Sequence, residues 1–455
     1  MGRPLLMAFY GDDFTGSTDA MEVLEGQGLR TVLFIRPPTK EWLETFSNLP
    51  CIGVAGTARA MSPEAMESEL APVLEQLKLL GPKILHYKMC STADSSPDIG
   101  SIGKVVEIGK RLYPDQGAVP VLVAAPHLRR YTAFGNHFAD YRGDVYRLDR
   151  HPSMSRHPVT PMKEADLLVH FAEQTSGTLS LYSVTDLEQS LDRRQTRWAD
   201  LLGSEKNAVL MDALNEEHIR SIGELVGSSA EHASLFVVGS SGFSQAFGSY
   251  WRDRHGIEKR AEPELERMQT LVLSGSCSPL TDIQIRTGVE NGFVKIKADV
   301  MALLNERDNE GACDRLLEEA SRAWQEGRSL ILYTAEGSDD VSIGVLHDEM
   351  RRRGLSISNT GPIIGDRLGR IGKLLIRKLG IKRVVLAGGD TSGFASLSLG
   401  IEALELLQRT APGAPLCRAH SRDSSIDGLQ IALKGGQLGQ PDYFVRVASG
   451  RKEAE

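Results

Sequence analysis

The chain has 455 residues, of which 41% are hydrophobic and 25% charged, a composition that supports a large buried core and excludes global disorder. Its net charge of −8 argues against a nucleic-acid binder, and no apolar run approaches the ~18 residues of a membrane span. The five cysteines are odd in number and lack C-x-x-C spacing, which predicts no disulfide framework or zinc clip and points to a reducing, cytoplasmic setting.

At ~100–200 residues per domain, two or three domains are expected. In chain order, Leu5–Tyr10 reads as a strand, Gly16–Gly26 as a helix, and Thr31–Ile35 and Ile52–Ala55 as strands. Ser62-Pro63-Glu64 carries a helix-start signature. Lys83–Tyr87 and Val119–Ala125 follow as strands. Residues 127–163 break the rhythm, being rich in His, Arg, Tyr and Pro, and read as a lid or site wall. Alternation resumes at Leu179–Tyr182, Ala208–Asp212 and Leu235–Gly239.

The charged stretch Tyr250–Met268 separates two alternating regions. The expected domains are therefore 1–250 and 265–455. The second contains Thr270–Leu273, Val294–Ile296, Ser329–Thr334 and Arg383–Leu386 as strands, with helices from about Pro279, over Arg367–Leu379 and over Phe394–Leu407. The predicted class is α/β, two domains each with a mainly parallel sheet flanked by helices. In such sheets ligands bind beyond the carboxyl ends of the strands, so the polar residues just after each strand carry the chemistry.

Three segments in the first half sit at such ends. Gly11-Asp12-Asp13-Phe14-Thr15-Gly16 joins a strand to a helix. Its two carboxylates would repel phosphate but suit sugar hydroxyls, and Asp12, with Asp13 second, is the candidate base. The plainer alternative is that they cap the helix. Arg59 offers a planar fork for a carboxylate and Lys88 a point charge, followed by Ser91, Thr92 and Asp94. Hydroxyl acceptors beside two cations fit a hydroxy acid. The plainer alternative is an ordinary surface ion pair.

The second half carries small-residue turns. Ser274-Gly275-Ser276-Cys277-Ser278, Gly388-Gly389-Asp390-Thr391-Ser392-Gly393 and Lys434-Gly435-Gly436-Gln437-Leu438-Gly439 allow backbone amides to approach phosphates closely. Asp390 is the candidate Mg²⁺ residue. Gly103-Lys104 and Gly372-Lys373 are not followed by Ser or Thr, so there is no Walker A loop. His151/His157 and His127/His137 lack metal-ligand spacing, and Cys90 and Cys277 read as small packing residues.

Taken in order, these motifs resemble the four-carbon acid sugar kinases, a family whose pattern is [AG]-D-D-[LF]-T-G, K-x-D-S-T, S-G-S-C-S, G-G-[ED]-T-[SA]-G and K-x-G-x-x-G. Gly11–Gly16, Ser274–Ser278, Gly388–Gly393 and Lys434–Gly439 match it, as does Pro158-Val159-Thr160 with Glu164-Ala165-Asp166. The resemblance implies a sugar-binding N-terminal and an ATP-binding C-terminal domain, a cleft between them that closes on ligands, and ATP and Mg²⁺ as cofactors. It makes Asp12 and Arg59 sugar ligands, and Ser274, Gly275, Ser276, Gly388, Gly389, Asp390, Thr391 and Gly436 nucleotide contacts. It implies a small-molecule acid sugar as partner, with no nucleic acid or membrane and with a homodimer as one arrangement.

One departure matters. The K-x-D-S-T-L-R-G segment of the family reads here Lys88-Met89-Cys90-Ser91-Thr92-Ala93-Asp94, so Cys90 replaces the aspartate and the arginine is missing. Asp94 is the expected compensation. The implied substrate then includes relatives of threonate, erythronate or 3-oxo-tetronate, such as a 3-oxo-isoapionate-like acid. The alternatives are a non-catalytic sugar- or nucleotide-binding regulator, and a phosphatase or lyase acting on the same acids.

Overall fold

A computed structural model describes residues 4–157, 159–304 and 309–452, leaving aside the side chains of residues 309–313, 358 and 390. The chain divides into two compact units, Met1–Val32 with Arg36–Arg260 and Leu33–Ile35 with Ala261–Glu455.

The first unit contains β1 (Met7–Gly11), β2 (Thr31–Phe34, whose last residues group with the second unit), β3 (Cys51–Ala55), β4 (Ile84–Lys88) and β5 (Val119–Leu122). An antiparallel meander follows, β6 (Arg130–Ala133), β7 (Asn136–Tyr141) and β8 (Asp144–Arg147). The unit ends with β9 (Leu179–Tyr182), β10 (Ala208–Met211) and β11 (Leu235–Gly239). The main sheet runs β3-β1-β4-β11-β5-β10-β9 and is parallel throughout. Most of its strands are buried on both faces, which explains their continuous apolar runs. The meander occupies the aperiodic stretch, where short strands rich in His, Arg and Tyr hide the alternation that would announce them.

The second unit contains β12 (Leu271–Ser274), β13 (Val294–Lys297), β14 (Leu330–Tyr333), β15 (Arg383–Ala387), β16 (Ala403–Gln408), β17 (Leu416–His420) and β18 (Gln430–Lys434). Their order is β13-β14-β12-β15-β18-β17-β16, parallel from β13 to β18 and antiparallel at the other edge. One expectation is corrected here. Phe394–Leu407 is not a single helix: the helix spans Gly389–Leu399, Gly400 caps it at φ +83°, and Ala403–Gln408 is strand β16. Glycine in that left-handed conformation is a helix stop.

Parallel register fixes the functional edges. Gly11 lies level with Ala55 and Lys88, and Lys88 with Gly239, so the residues following β1, β3 and β4 meet at one edge. In the second unit Ser274 lies level with Tyr333 and Ala387, and Ala387 with Lys434. Among the described residues no helix is long and apolar enough to cross a membrane.

Gly53 on β3 faces Phe9 on β1, and a Cβ there would lie 2.1 Å from the ring. Gly53→Ala is therefore expected to lower stability by about 1–3 kcal/mol, read from denaturant midpoints. An unchanged midpoint would show that the ring moves aside freely.

Candidate functional site

At the strand-end edge of the first unit, Arg59 binds two carboxylates at once. Its Nε and Nη2 donate to the two oxygens of Asp12 at 3.2 and 2.8 Å, and its Nη1 lies 2.8 Å from Asp13 Oδ2. Asp94 lies 3.9 Å away. Local structure sets this up: Asp12 follows β1, and the short helical turn Ala58–Ala60 after β3 brings Arg59 across, with the Arg59 amide donating to Asp12 O.

The two aspartates differ. Asp13 is the N-cap of the helix Phe14–Gly26, accepting from the Gly16 amide at 2.6 Å and from the Thr15 hydroxyl. The capping role foreseen for the pair therefore falls to Asp13. Asp12 is 2% exposed and makes no cap. Burial raises the Asp12 carboxyl above the usual carboxylate range against the pull of Arg59. Burial also acts upward on Asp13, but Arg59, Lys88 and the cap bonds outweigh it and hold that carboxyl below the usual range. Neighbouring carboxylates pushed apart in this way suit one to accept a proton and the other to stay ionised.

Lys88 is buried, donates to Met89 O at 3.1 Å and lies 3.8 Å from Asp19. The loop after it is tightly held. Thr92 donates to Asp94 at 2.7 Å, Cys90 Sγ lies 2.9 Å from the Thr92 hydroxyl, and buried Ala93 adopts φ +53°. Ser91 O accepts from His137 Nε2 at 2.8 Å. Burial lowers the His137 pKa to about 4, so the ring is neutral: Nε2–H donates to Ser91 and Nδ1 accepts from the Thr132 hydroxyl. Burial, followed by the Asp94 charge, pushes the Cys90 thiol up to about 12, leaving it protonated. Asp12, Asp13, Arg59 and Asp94 are thus brought together, with Lys88, Ser91 and Thr92 bordering them.

Two residues that spacing did not single out, His137 and Arg130, stand near this cluster. Both belong to the meander, and the surplus of Arg and His in 127–163 was the signal available.

In the second unit the three small-residue turns converge. The Gly275 amide donates to Ala387 O at 3.0 Å and the Gly388 amide to Lys434 O at 2.9 Å. A Cβ on Gly275 would meet Thr391 Cγ2 at 2.6 Å, and one on Gly436 would meet Ser276 Oγ at 2.9 Å. Gly388 has φ +125°, open to glycine almost alone, and caps the helix Gly389–Leu399. The three turns thus pack against one another at the strand ends, and the buried Ser274 Oγ among them has no hydrogen-bond partner. The Asp390 side chain, singled out for Mg²⁺, lies outside the described residues, and no group of three or more His, Cys, Asp or Glu converges as a metal site among those described.

Lys434, which opens the third of these turns, is fully buried with no carboxylate within ion-pair reach among the described residues. It donates to Gly435 O at 2.8 Å and to Gly436 O and Thr281 Oγ1 at 3.2 Å each. Burial lowers its pKa to about 7. Beside these turns, Gly275, Thr391, Val300, Leu346 and Ile364 line an apolar slot of about 120 Å³. A larger groove of about 730 Å³ lies at the strand-start side of the first unit, between Tyr113, Trp198 and Leu235, away from the charged cluster.

Residues 7–247 match the family of sugar-binding N-terminal domains, and residues 271–444 the family of nucleotide-binding C-terminal domains. The 3-oxo-isoapionate kinase of Paraburkholderia graminis is 41% identical over 449 residues, covering 98% of this chain and 95% of that one. The chain belongs to the acid sugar kinase family. It is a phosphotransferase acting on a small molecule, with a nucleotide as phosphate donor. The 3-oxo-tetronate kinase of Pectobacterium atrosepticum is 27% identical over 444 residues, covering 96% and 97%. Solved proteins from Salmonella typhimurium LT2 (TM-score 0.77, covering 97% of this chain and 98% of that one) and Haemophilus influenzae (0.71, with the same coverage) share the fold at 23% identity each.

Asp12→Asn is expected to lower kcat by roughly 10²–10⁴-fold with nucleotide binding retained, measured by steady-state turnover and calorimetry. Retention of turnover within about threefold would remove Asp12 as the base. Gly388→Ala is expected to weaken nucleotide binding more than tenfold, because the added methyl cannot adopt that backbone without moving the cradle. Unchanged affinity would show that nucleotide binding does not depend on the Gly388 turn.

Proposed function

We propose that the protein is an ATP-dependent kinase that transfers the γ-phosphoryl group to a hydroxyl of a short acid sugar in carbohydrate catabolism, with a branched 3-oxo acid of the 3-oxo-isoapionate type as its substrate. The observation that carries the substrate choice is the end-to-end 41% identity to a kinase of that name, against 27% to the 3-oxo-tetronate kinase of Pectobacterium atrosepticum. The chemistry of the two clusters supports the reaction.

In this reading the first unit holds the acid sugar and the second the nucleotide. Asp12 accepts the proton of the attacking hydroxyl as its oxygen bonds to the γ-phosphorus, and ADP departs with the electron pair of the broken bond. Arg59 orients Asp12 and keeps Asp13 ionised for a second sugar hydroxyl. Lys88, Ser91, Thr92 and Asp94 border the sugar and shape which acid fits. The amides and hydroxyls of Ser274–Ser276, Gly388–Thr391 and Gly436 cradle the phosphates, and the slot beside Val300 and Ile364 takes the base. The hydroxyls of Ser274, Ser276 and Thr391 are hard oxygen donors of the kind Mg²⁺ accepts, and with the phosphates they would hold that ion. Bound there, the ion would neutralise charge on the transferring group.

ADP release with ATP and Mg²⁺ across four- and five-carbon acid sugars, including 3-oxo and branched acids, tests this reading. Turnover is expected on a branched 3-oxo acid. A folded protein that does not bind ATP would contradict it.

Lys434 adds a pH signature. Its neutral form prevails above about pH 7 in the free protein, and phosphate charge nearby favours the ammonium, so binding takes up a proton in that range. Nucleotide affinity is therefore expected to fall between about pH 7 and 9, by at most about tenfold per pH unit. Lys434→Met should flatten that slope in calorimetric titrations. A slope unchanged in the variant would exclude Lys434 as its source.

A further inference from the structure

The Arg59 fork is bound to carboxylates of the chain itself. Nε and Nη2 hold Asp12, Nη1 holds Asp13, and Asp94 stands 3.9 Å off. A substrate carboxylate arriving at Arg59 would face three negative charges. Lys88 is buried beneath the Gly16 turn and lies beside Asp19. The anionic end of the substrate therefore needs another cation at this edge.

Arg130 meets that need. It opens β6, just beyond the carboxyl end of β5, and exchanges both backbone hydrogen bonds with Ala125. On β6, Arg130 and Thr132 project to the same face, because side chains alternate along a strand. Thr132 stands opposite His137, which reaches Ser91 O at 2.8 Å, so this face meets the loop from Cys90 to Asp94. The Arg130 guanidinium feels the more distant charges of Asp140 and Asp94, yet no carboxylate lies within ion-pair reach of it among the described residues. Asp140 pairs instead with Arg129 at 2.9 Å. Arg130 Nη1 donates to the Asp140 carbonyl at 3.1 Å, while its buried Nε has no partner. A half-buried guanidinium with an unfilled donor and no carboxylate in direct contact is costly without an anion.

We propose that Arg130 binds the carboxylate of the acid sugar and so fixes which end of the substrate faces Asp12, a role that Arg59, already engaged with Asp12 and Asp13, does not fill. The assignment rests on the acid-sugar reading above and deepens it. It also makes the meander a recognition element rather than a cover: His137 holds it against the 90–94 loop, and Arg130 contributes the charge.

Full-length wild type, Arg130→Gln and Arg130→Lys are compared in turnover with the best acid sugar, with its primary amide as a competing substrate and thermal midpoints confirming folding. Loss of a charge-assisted contact predicts a roughly 10- to 100-fold rise in KM for the acid in Arg130→Gln, with nucleotide KM within about twofold. The wild-type preference for acid over amide should disappear in that variant and partly return in Arg130→Lys. A folded Arg130→Gln with unchanged acid KM and unchanged preference overturns the assignment while leaving the kinase reading intact. Wild type that turns over no acid sugar overturns the kinase reading itself, and the assignment with it.

Discussion

The ion cluster around Arg59 is the constraint on which the first unit is organised. A buried Asp12 at one sheet edge would be expensive alone, and the part-exposed Arg59 and Asp13 complete it through charge-assisted hydrogen bonds and an ion pair. That arrangement works only because three parallel strands end at the same level, with Gly11 opposite Ala55 and Lys88. The sheet supplies the register and the cluster supplies the chemistry. The second unit follows the same geometry with a different content: at its strand ends it gathers glycines, hydroxyls and one buried lysine instead of carboxylates.

The contrast between charges balanced within the chain and charges left open explains the division of labour. Arg59 is balanced by Asp12 and Asp13 within the chain. Arg130 and Lys434 are not balanced by carboxylates among the described residues. One stands in a sugar-binding family domain and the other in a nucleotide-binding one. Both ligands of an acid sugar kinase are anions, and the proposed roles of Arg130 and Lys434 give each unit one basic group to meet them.

Much of this was legible in the sequence because parallel sheets write themselves as short apolar runs followed by polar turns. The runs at Leu5–Tyr10, Lys83–Tyr87, Leu235–Gly239 and Arg383–Leu386 lie on β1, β4, β11 and β15, and the residues just after several of them make up the two clusters. What stayed hidden has physical causes. The β6–β8 meander carries polar side chains on partly exposed short strands, so no period of two stands out, and the partnership of His137 with Ser91 spans 46 residues. Phe394–Leu407 read as one helix because apolar residues continue past Gly400, where the left-handed turn redirects the chain into β16. Lys434 looked like the first letter of a glycine turn, and its burial follows from β18 lying between β15 and β17. That Arg59 would be held by both aspartates depended on geometry that spacing alone does not encode.

The most direct test of the whole account is a crystal structure of the protein with a non-hydrolysable ATP analogue, Mg²⁺ and an acid sugar. The account predicts phosphates against Gly275, Ser276, Gly388–Thr391 and Gly436, a sugar hydroxyl on Asp12, and the sugar carboxylate on Arg130. A nucleotide bound away from the three converging turns, or a sugar seated away from Asp12, would contradict it.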